Sequence, residues 1–393
     1  MGKWSDDAFL DTLAKHSDTA ADECVSALEA TLPRADFGGV FAAMNSNDEP
    51  LPSMPERLRD FFDAGDRLPL IQGEPVSMER LDRGEAVFMT HALPGALVLL
   101  TKSLPEGYAA PRLSTILMLS GNLDHHPYRR LLGVLQMLVN VNAAHGFEAN
   151  GRARVTASKM RLLHAGIRRL VERYLPDYGQ RYGTPVSLED MLGTIMGFSF
   201  LVLEGFRTLD IGLTKEEEED YYYTWRVFAQ MTGIHPPGQP DSSDYVPGSV
   251  AEAEEFYRSY ARRHYRNADQ NPEGVELTAA NLRMLRDLMR RVPLMSPSSE
   301  IVPRICMEDL VGEAGCHRVN VEPVRGHFLL KRFLLHLPTV MGRIADLLDR
   351  DFGTRSVHER LSEVFFGDLI RRGRDGRVAF LIPAEFSDFR KLV

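Results

Sequence analysis

The sequence predicts an all-α protein. Long segments carry apolar residues at the 3.6-residue helical period, strand-like alternation is scarce, and helix-start chemistry such as Thr214 followed by Glu217 recurs. A chain of 393 residues can bury a sizeable core without disulfides or a structural metal. The formal net charge of -9 argues against general nucleic-acid binding, which needs a concentrated excess of Lys and Arg. Three cysteines, Cys24, Cys306 and Cys316, form no disulfide framework and point to a reducing compartment. No secretory h-region opens the chain. The longest apolar runs, at 92–100 and 195–203, are far short of the roughly 20 residues a bilayer requires. A cytoplasmic protein with no membrane span is expected.

Taken in order, residues 1–85 read as an irregular, partly helical lead-in packed on the core, with a polar, Pro-containing break at 45–55. Periodicity then predicts helices at 109–120, 127–143, 157–175, 187–208, 214–232, 250–266, 277–290, 328–349 and 356–371. These form the main domain over 86–375, followed by a tail over 376–393 in which 377–383 has the pattern of a short hairpin. At 214–232 a capping box and the run Glu216 to Glu219 satisfy the helix start and its dipole, so that acidic run is not a metal site. Gly233 closes the helix, and His235 to Pro240 open a loop. The helix at 187–208 is apolar nearly all round and therefore expected to be buried. Gly193 and Gly197 share a face there, which admits either another helix or a flat cofactor.

Most familiar chemistry is missing. There is no Cys-x-x-Cys-His, because Cys316-His317 is preceded by Glu313, and no zinc-finger spacing, Glu-x-x-His pair or His-Glu-x-x-His. Dinucleotide, P-loop and nucleophile-elbow glycine patterns are also absent. What remains is His164, set in the apolar stripe Met160, Leu163, Ile167, Leu170, Val171 and Tyr174. A histidine there is either a core residue with a hydrogen-bond partner or a ligand. With the apolar helix nearby, and Arg161 and Arg168 three and four residues away as partners for propionates, the set suits a non-covalent haem. Solvated arginines are the alternative.

Ordered blocks then become recognisable. Gly107-Tyr-Ala-Ala-Pro111, Leu119-Ser-Gly-Asn-Leu-Asp, Tyr128-Arg-Arg-Leu-Leu and Met160-Arg-Leu-Leu-His-Ala-Gly-Ile-Arg are followed by Gly183-Thr-Pro-Val-Ser-Leu-Glu-Asp-Met-Leu and Thr194-Ile-Met-Gly-Phe-Ser. Glu217-Glu-Glu-Asp-Tyr, Trp225-Arg-Val and Gly233-Ile-His-Pro complete the series. Over roughly 85–370 this resembles the rubber-oxygenase catalytic domain, the superfamily of latex-clearing protein and the MpaB-type oxygenases.

The resemblance implies a globin-like helical core holding haem b, with His164 as the proximal iron ligand. It matches Arg130 to the arginine of a distal Arg-x-x-Lys-Thr pattern, whose lysine and threonine positions here hold Gly133 and Val134. The glutamate that serves as base in the polymer-cleaving members has no equivalent, since Ser114 falls at its position. The expectation is a haem b oxygenase acting with dioxygen, or peroxide, on a small, largely apolar metabolite rather than on polyisoprene. Arg130 would orient oxygen or substrate, and Gly133, Val134 and Met137 would line that face. Gly193, Thr194, Gly197 and Phe198 would press on the macrocycle, while Trp225 and Arg226 read more simply as core. A haem-binding sensor or carrier without turnover is the alternative, and a haem-free helical protein a third.

Overall fold

Helices are the recurring element of the structure, a computed structural model that describes residues 2–31, 55–119, 127–143, 145–290 and 299–326, with backbone only at 119 and 127–132. The lead-in supplies α1 (Asp7–Lys15), α2 (Thr19–Thr31) and α3 (Glu56–Gly65). A two-stranded antiparallel hairpin, β1 (Leu70–Ile71) with β2 (Glu74–Pro75), pairs Leu70 with Pro75 and Ile71 with Glu74. Then come α4 (Met78–Thr90), α5 (Ala92–Val98), a π-helical turn over Leu99–Ser103, α6 (Leu104–Tyr108), α7 (Pro111–Leu119) and α8 (Pro127–Val141). The long α9 (Arg152–Tyr174) carries His164. It is followed by α10 (Tyr178–Tyr182), α11 (Leu188–Phe198), α12 (Phe200–Thr208), α13 (Lys215–Met231), α14 (Val250–His264), α15 (Pro272–Arg290) and α16 (Val302–Arg318).

The fold is thus all-α, as the periodicity predicts. The capping box forms: Glu217 N donates to Thr214 Oγ1 at 3.2 Å, and Thr214 N to Glu217 Oε2 at 2.7 Å. The expected helix over 187–208 is instead two helices, broken at Ser199 (φ -108°, ψ -86°). An all-apolar run has no polar face to mark such a break. The helix α16 was not expected from the pattern, because Gly312 interrupts it with φ 79°. The segments expected as helices at 328–349 and 356–371, and the hairpin at 377–383, lie outside the described residues.

The core centres on α13, whose Tyr221, Tyr222, Trp225 and Phe228 are each at most 1 % exposed. Fully burying one such side chain contributes about 1.5–3 kcal/mol. Helix α4 lies along α13, and their approach is set by Gly84, against which the Asp220 carbonyl and Thr224 hydroxyl are packed. Asp220 is buried and takes Arg80 Nε at 2.6 Å and Arg83 Nε at 2.5 Å, clamping the same pair. All three cysteines are buried, and none is in a disulfide. Among the described residues no single helix is long and apolar enough to cross a membrane; Met78–Thr90 with Ala92–Tyr108 meets the length and composition only jointly, across a 78° bend.

Glu85, on the same helix α4, is buried at 7 % exposure, and burial together with Asp82 and Glu148 pushes its carboxyl up to about 8. Because the unfolded carboxyl titrates near 4.5, the folded chain holds this proton more tightly between those values. Its contribution to stability is therefore complete below about pH 4.5 and declines toward pH 8, by up to about 1.4 kcal/mol per pH unit. Glu85→Gln should flatten this slope and exceed the parent in stability near pH 8, read from urea midpoints between pH 5 and 8. A variant curve parallel to the parent's would show that Glu85 is not the titrating group.

Candidate functional site

Helix α9 is covered unevenly. Leu162 and Ala165 are sealed in a small core with Ala21, Cys24, Val25 and Leu28 of α2 and Leu58, Phe61 and Phe62 of α3. On the opposite side Met160, Leu163, His164 and Ile167 are each only partly covered. At about 100° per residue these four lie within one strip. The strip is apolar apart from the imidazole, and a stripe of that composition is one that folding normally buries completely.

His164 is surrounded by protein yet keeps partial accessibility, and its Nδ1 is buried with no hydrogen-bond partner. Burial, and then the Arg168 guanidinium, lower its pKa to about 4 against an opposing pull from Asp18. The ring is therefore neutral at physiological pH, the state in which imidazole ligates a metal. The core-histidine alternative requires a partner for the polar ring. Nδ1 has none.

Two other helices present open strips. On α11, buried at every other position, Gly193 and Gly197 are partly covered and Thr194 is exposed. These three fall on one face. Gly197 has a single neighbour near its would-be Cβ, Ser103 at 3.8 Å, so space is left beside it. On α8, Gly133 and Val134 are partly covered and share a face, by register, with Arg130, whose side chain lies outside the described set.

Several expected contacts are corrected. Gly193 admits the Tyr260 ring, whose Cζ lies 2.7 Å from its would-be Cβ, so its missing side chain serves helix–ring packing and not a macrocycle. Phe198 turns away from the strip and stacks on Trp225, with centroids 5.3 Å apart and planes at 18°. Met137 is closed into the core at 4 % exposure. Arg161 gives Nε and Nη2 to Asp18 at 2.6 and 2.9 Å, and Arg168 gives Nε to Asp22 at 2.7 Å. Both arginines sit at the seam between the open and sealed faces and are committed to α2, so they are not the propionate cations expected. Trp225 and Arg226 are buried core residues, as the simpler reading had them. Ser114 is fully buried and donates to Asn271 Oδ1 at 2.7 Å.

The residues that the sequence did not single out are those that set α11. Its first turn buries Glu189 and Asp190, whose charges the helix dipole favours. Arg112 of α7 places Nε 2.8 Å from Asp190, Tyr260 donates to the same carboxylate at 3.0 Å, and Arg263 Nε donates to Glu189 at 2.9 Å. Removing one member of such a buried set costs about 3–5 kcal/mol, because a charge is left unpaired. The partners come from two remote stretches of chain, α7 and α14, so no local pattern announces them.

A family model described as "ER-bound oxygenase mpaB/B'/Rubber oxygenase, catalytic domain" matches residues 84–334. No curated protein matches the sequence. Among solved structures, that of latex clearing protein LCP in the closed state is similar with a TM-score of 0.69 and 18 % identity, covering 94 % of this chain and 91 % of that one.

Proposed function

The chain belongs to the MpaB and rubber-oxygenase catalytic-domain family, and from this premise we propose that it is a haem b-dependent oxygenase acting with dioxygen on a small, largely apolar molecule. The observation that carries the proposal is His164: a neutral imidazole with an unpartnered Nδ1, on an otherwise apolar strip that the rest of the protein only partly covers. Among the described residues no group of three His, Cys, Asp or Glu side chains could hold a metal ion, and in this reading a macrocycle would supply the other donors to the iron.

The residues present fit that group. His164 would hold it, Met160, Leu163 and Ile167 would cover its apolar surface, and the open side of Gly197 would leave it room. When bound, the haem would supply the iron chemistry that activates dioxygen. The protein's part is to keep the His164 ring neutral and to present an apolar strip beside it. Gly133 adds no donor and no bulk where the family pattern has lysine, which favours an apolar molecule on that side. Arg130 would supply a charge-assisted hydrogen bond to the polar end of what binds there.

Arg130→Ala should therefore lower dioxygen consumption by about ten- to a hundredfold, the value of one such bond, while the Soret absorbance per protein stays unchanged. Equal loss of activity and haem would make Arg130 structural. A protein that takes up haem but consumes no dioxygen with any apolar candidate would favour the carrier reading, for which Gly133 and Val134 in place of the Lys-Thr pair are the specific sign.

A further inference from the structure

Behind His164 lies an arrangement that the oxygenase reading does not use. Asp18, at the N-terminal edge of α2, is 2 % exposed. Its carboxylate takes Nε and Nη2 of Arg161 at 2.6 and 2.9 Å and the Ala21 amide at 3.3 Å. Its carbonyl takes Nη2 of Arg168 at 3.5 Å. Arg161 and Arg168 stand three residues before and four residues after His164, so Asp18 is held over the helical turn that carries the imidazole. Gly233, with φ 93°, is packed against the carboxylate from the other side. Arg168 is itself tied to Asp22 at 2.7 Å, and Arg169 pairs with Glu29 and donates to Ser26 at 2.7 Å. Helix α2 is thus a strap that neutralises one arginine after another along the back of α9.

We propose that the Arg161–Asp18 pair is a lock that withholds a carboxylate from Nδ1 of His164, and so keeps the axial ligand a neutral, weakly donating imidazole and the iron's reduction potential high. This rests on the reading of His164 as the iron ligand. An axial histidine whose second nitrogen donates to a carboxylate gains anionic character, binds ferric iron more strongly and lowers the potential. Here the carboxylate is next to the ring's turn but both its oxygens are occupied by a guanidinium, while Nδ1 has no acceptor. Asp18 and Arg161 are positioning residues; neither is assigned contact with haem or substrate.

The test is the midpoint potential of the haem-loaded full chain. Arg161→Gln releases the carboxylate and should shift the ferric–ferrous equilibrium toward ferric by at least about tenfold, or 59 mV for one electron. Adding Asp18→Asn to that variant should return the potential to near the parent value. A lock that acts only as a structural tie would lower thermal stability in both variants and leave the potential where it was. That result, or a shift that Asp18→Asn fails to reverse, overturns the proposal. Should Arg161→Gln not fold, Arg161→Lys carries the test. A lysine keeps the charge but can hold only one of the two carboxylate oxygens that Arg161 now occupies, so a smaller shift toward ferric is expected, and an unchanged potential in the folded variant would overturn the lock. A parent protein without a Soret band after haem loading removes the axial-ligand reading instead, so the two failures are distinguishable.

Discussion

His164→Ala should abolish the Soret band of the haem-loaded protein, or weaken haem affinity by at least about tenfold, equivalent to 1.4 kcal/mol. The fold should survive this change. The ring makes no hydrogen bond through Nδ1, and its strip is only partly covered, so truncation leaves no orphaned partner and little packed surface to lose. The far-UV circular dichroism and the urea midpoint of the apo-protein should therefore stay close to the parent. Free imidazole added to a His164→Gly variant should restore a Soret band, since the missing ligand is then supplied from solution. A normal band in His164→Ala would end the assignment. A collapsed apo-protein would show that the ring is a packing element after all.

The second large effect is on stability. Gly84→Ala would place a methyl group against the Asp220 carbonyl and the Thr224 hydroxyl, where α4 and α13 lie closest. The carbonyl belongs to the backbone of the central helix and cannot swing aside. The helices must separate, and overpacking of that kind costs about 1–3 kcal/mol or more. The separation also strains the Arg80 and Arg83 bonds to Asp220, at 2.6 and 2.5 Å, which hold the same two helices together. A clear fall in the urea midpoint is expected at unchanged m-value, with haem uptake by the folded fraction preserved. Gly107→Ala, where nothing lies within 4 Å of the would-be Cβ, is the control and should be close to neutral.

The sequence is informative where a pattern is local and opaque where the partner is remote. Thr214 and Glu217 stand three residues apart, and the box they predict is formed. The helix around His164 is legible from its apolar stripe, and the family match over 84–334 agrees with the ordered blocks. Gly193 and Gly197 announce a close approach but not what approaches. At one it is the Tyr260 ring, and at the other space is left. Arg161 and Arg168 look free because the acids that bind them are 143 and 146 residues away. The break at Ser199 escapes notice for a different reason: a helix buried all round needs no amphipathic phase, so its interruption leaves the composition unchanged.

The tie between residues 4–7 and α14 has a temporal consequence. Trp4 donates to Glu252 across 248 residues, Ser5 to Glu255 across 250, and Arg262 to Asp7 across 255. During synthesis at about 5–20 residues per second, Trp4, Ser5 and Asp7 wait roughly 12 to 50 seconds for their partners on α14 to be made. The apolar side chains that follow, Leu10 and Leu13, are fully buried in the fold, where α1 packs on α11. The segment that carries Trp4, Ser5 and Asp7 thus completes its docking only after α14 is made, and a nascent chain stalled before α14 should leave it open to proteases and chaperones.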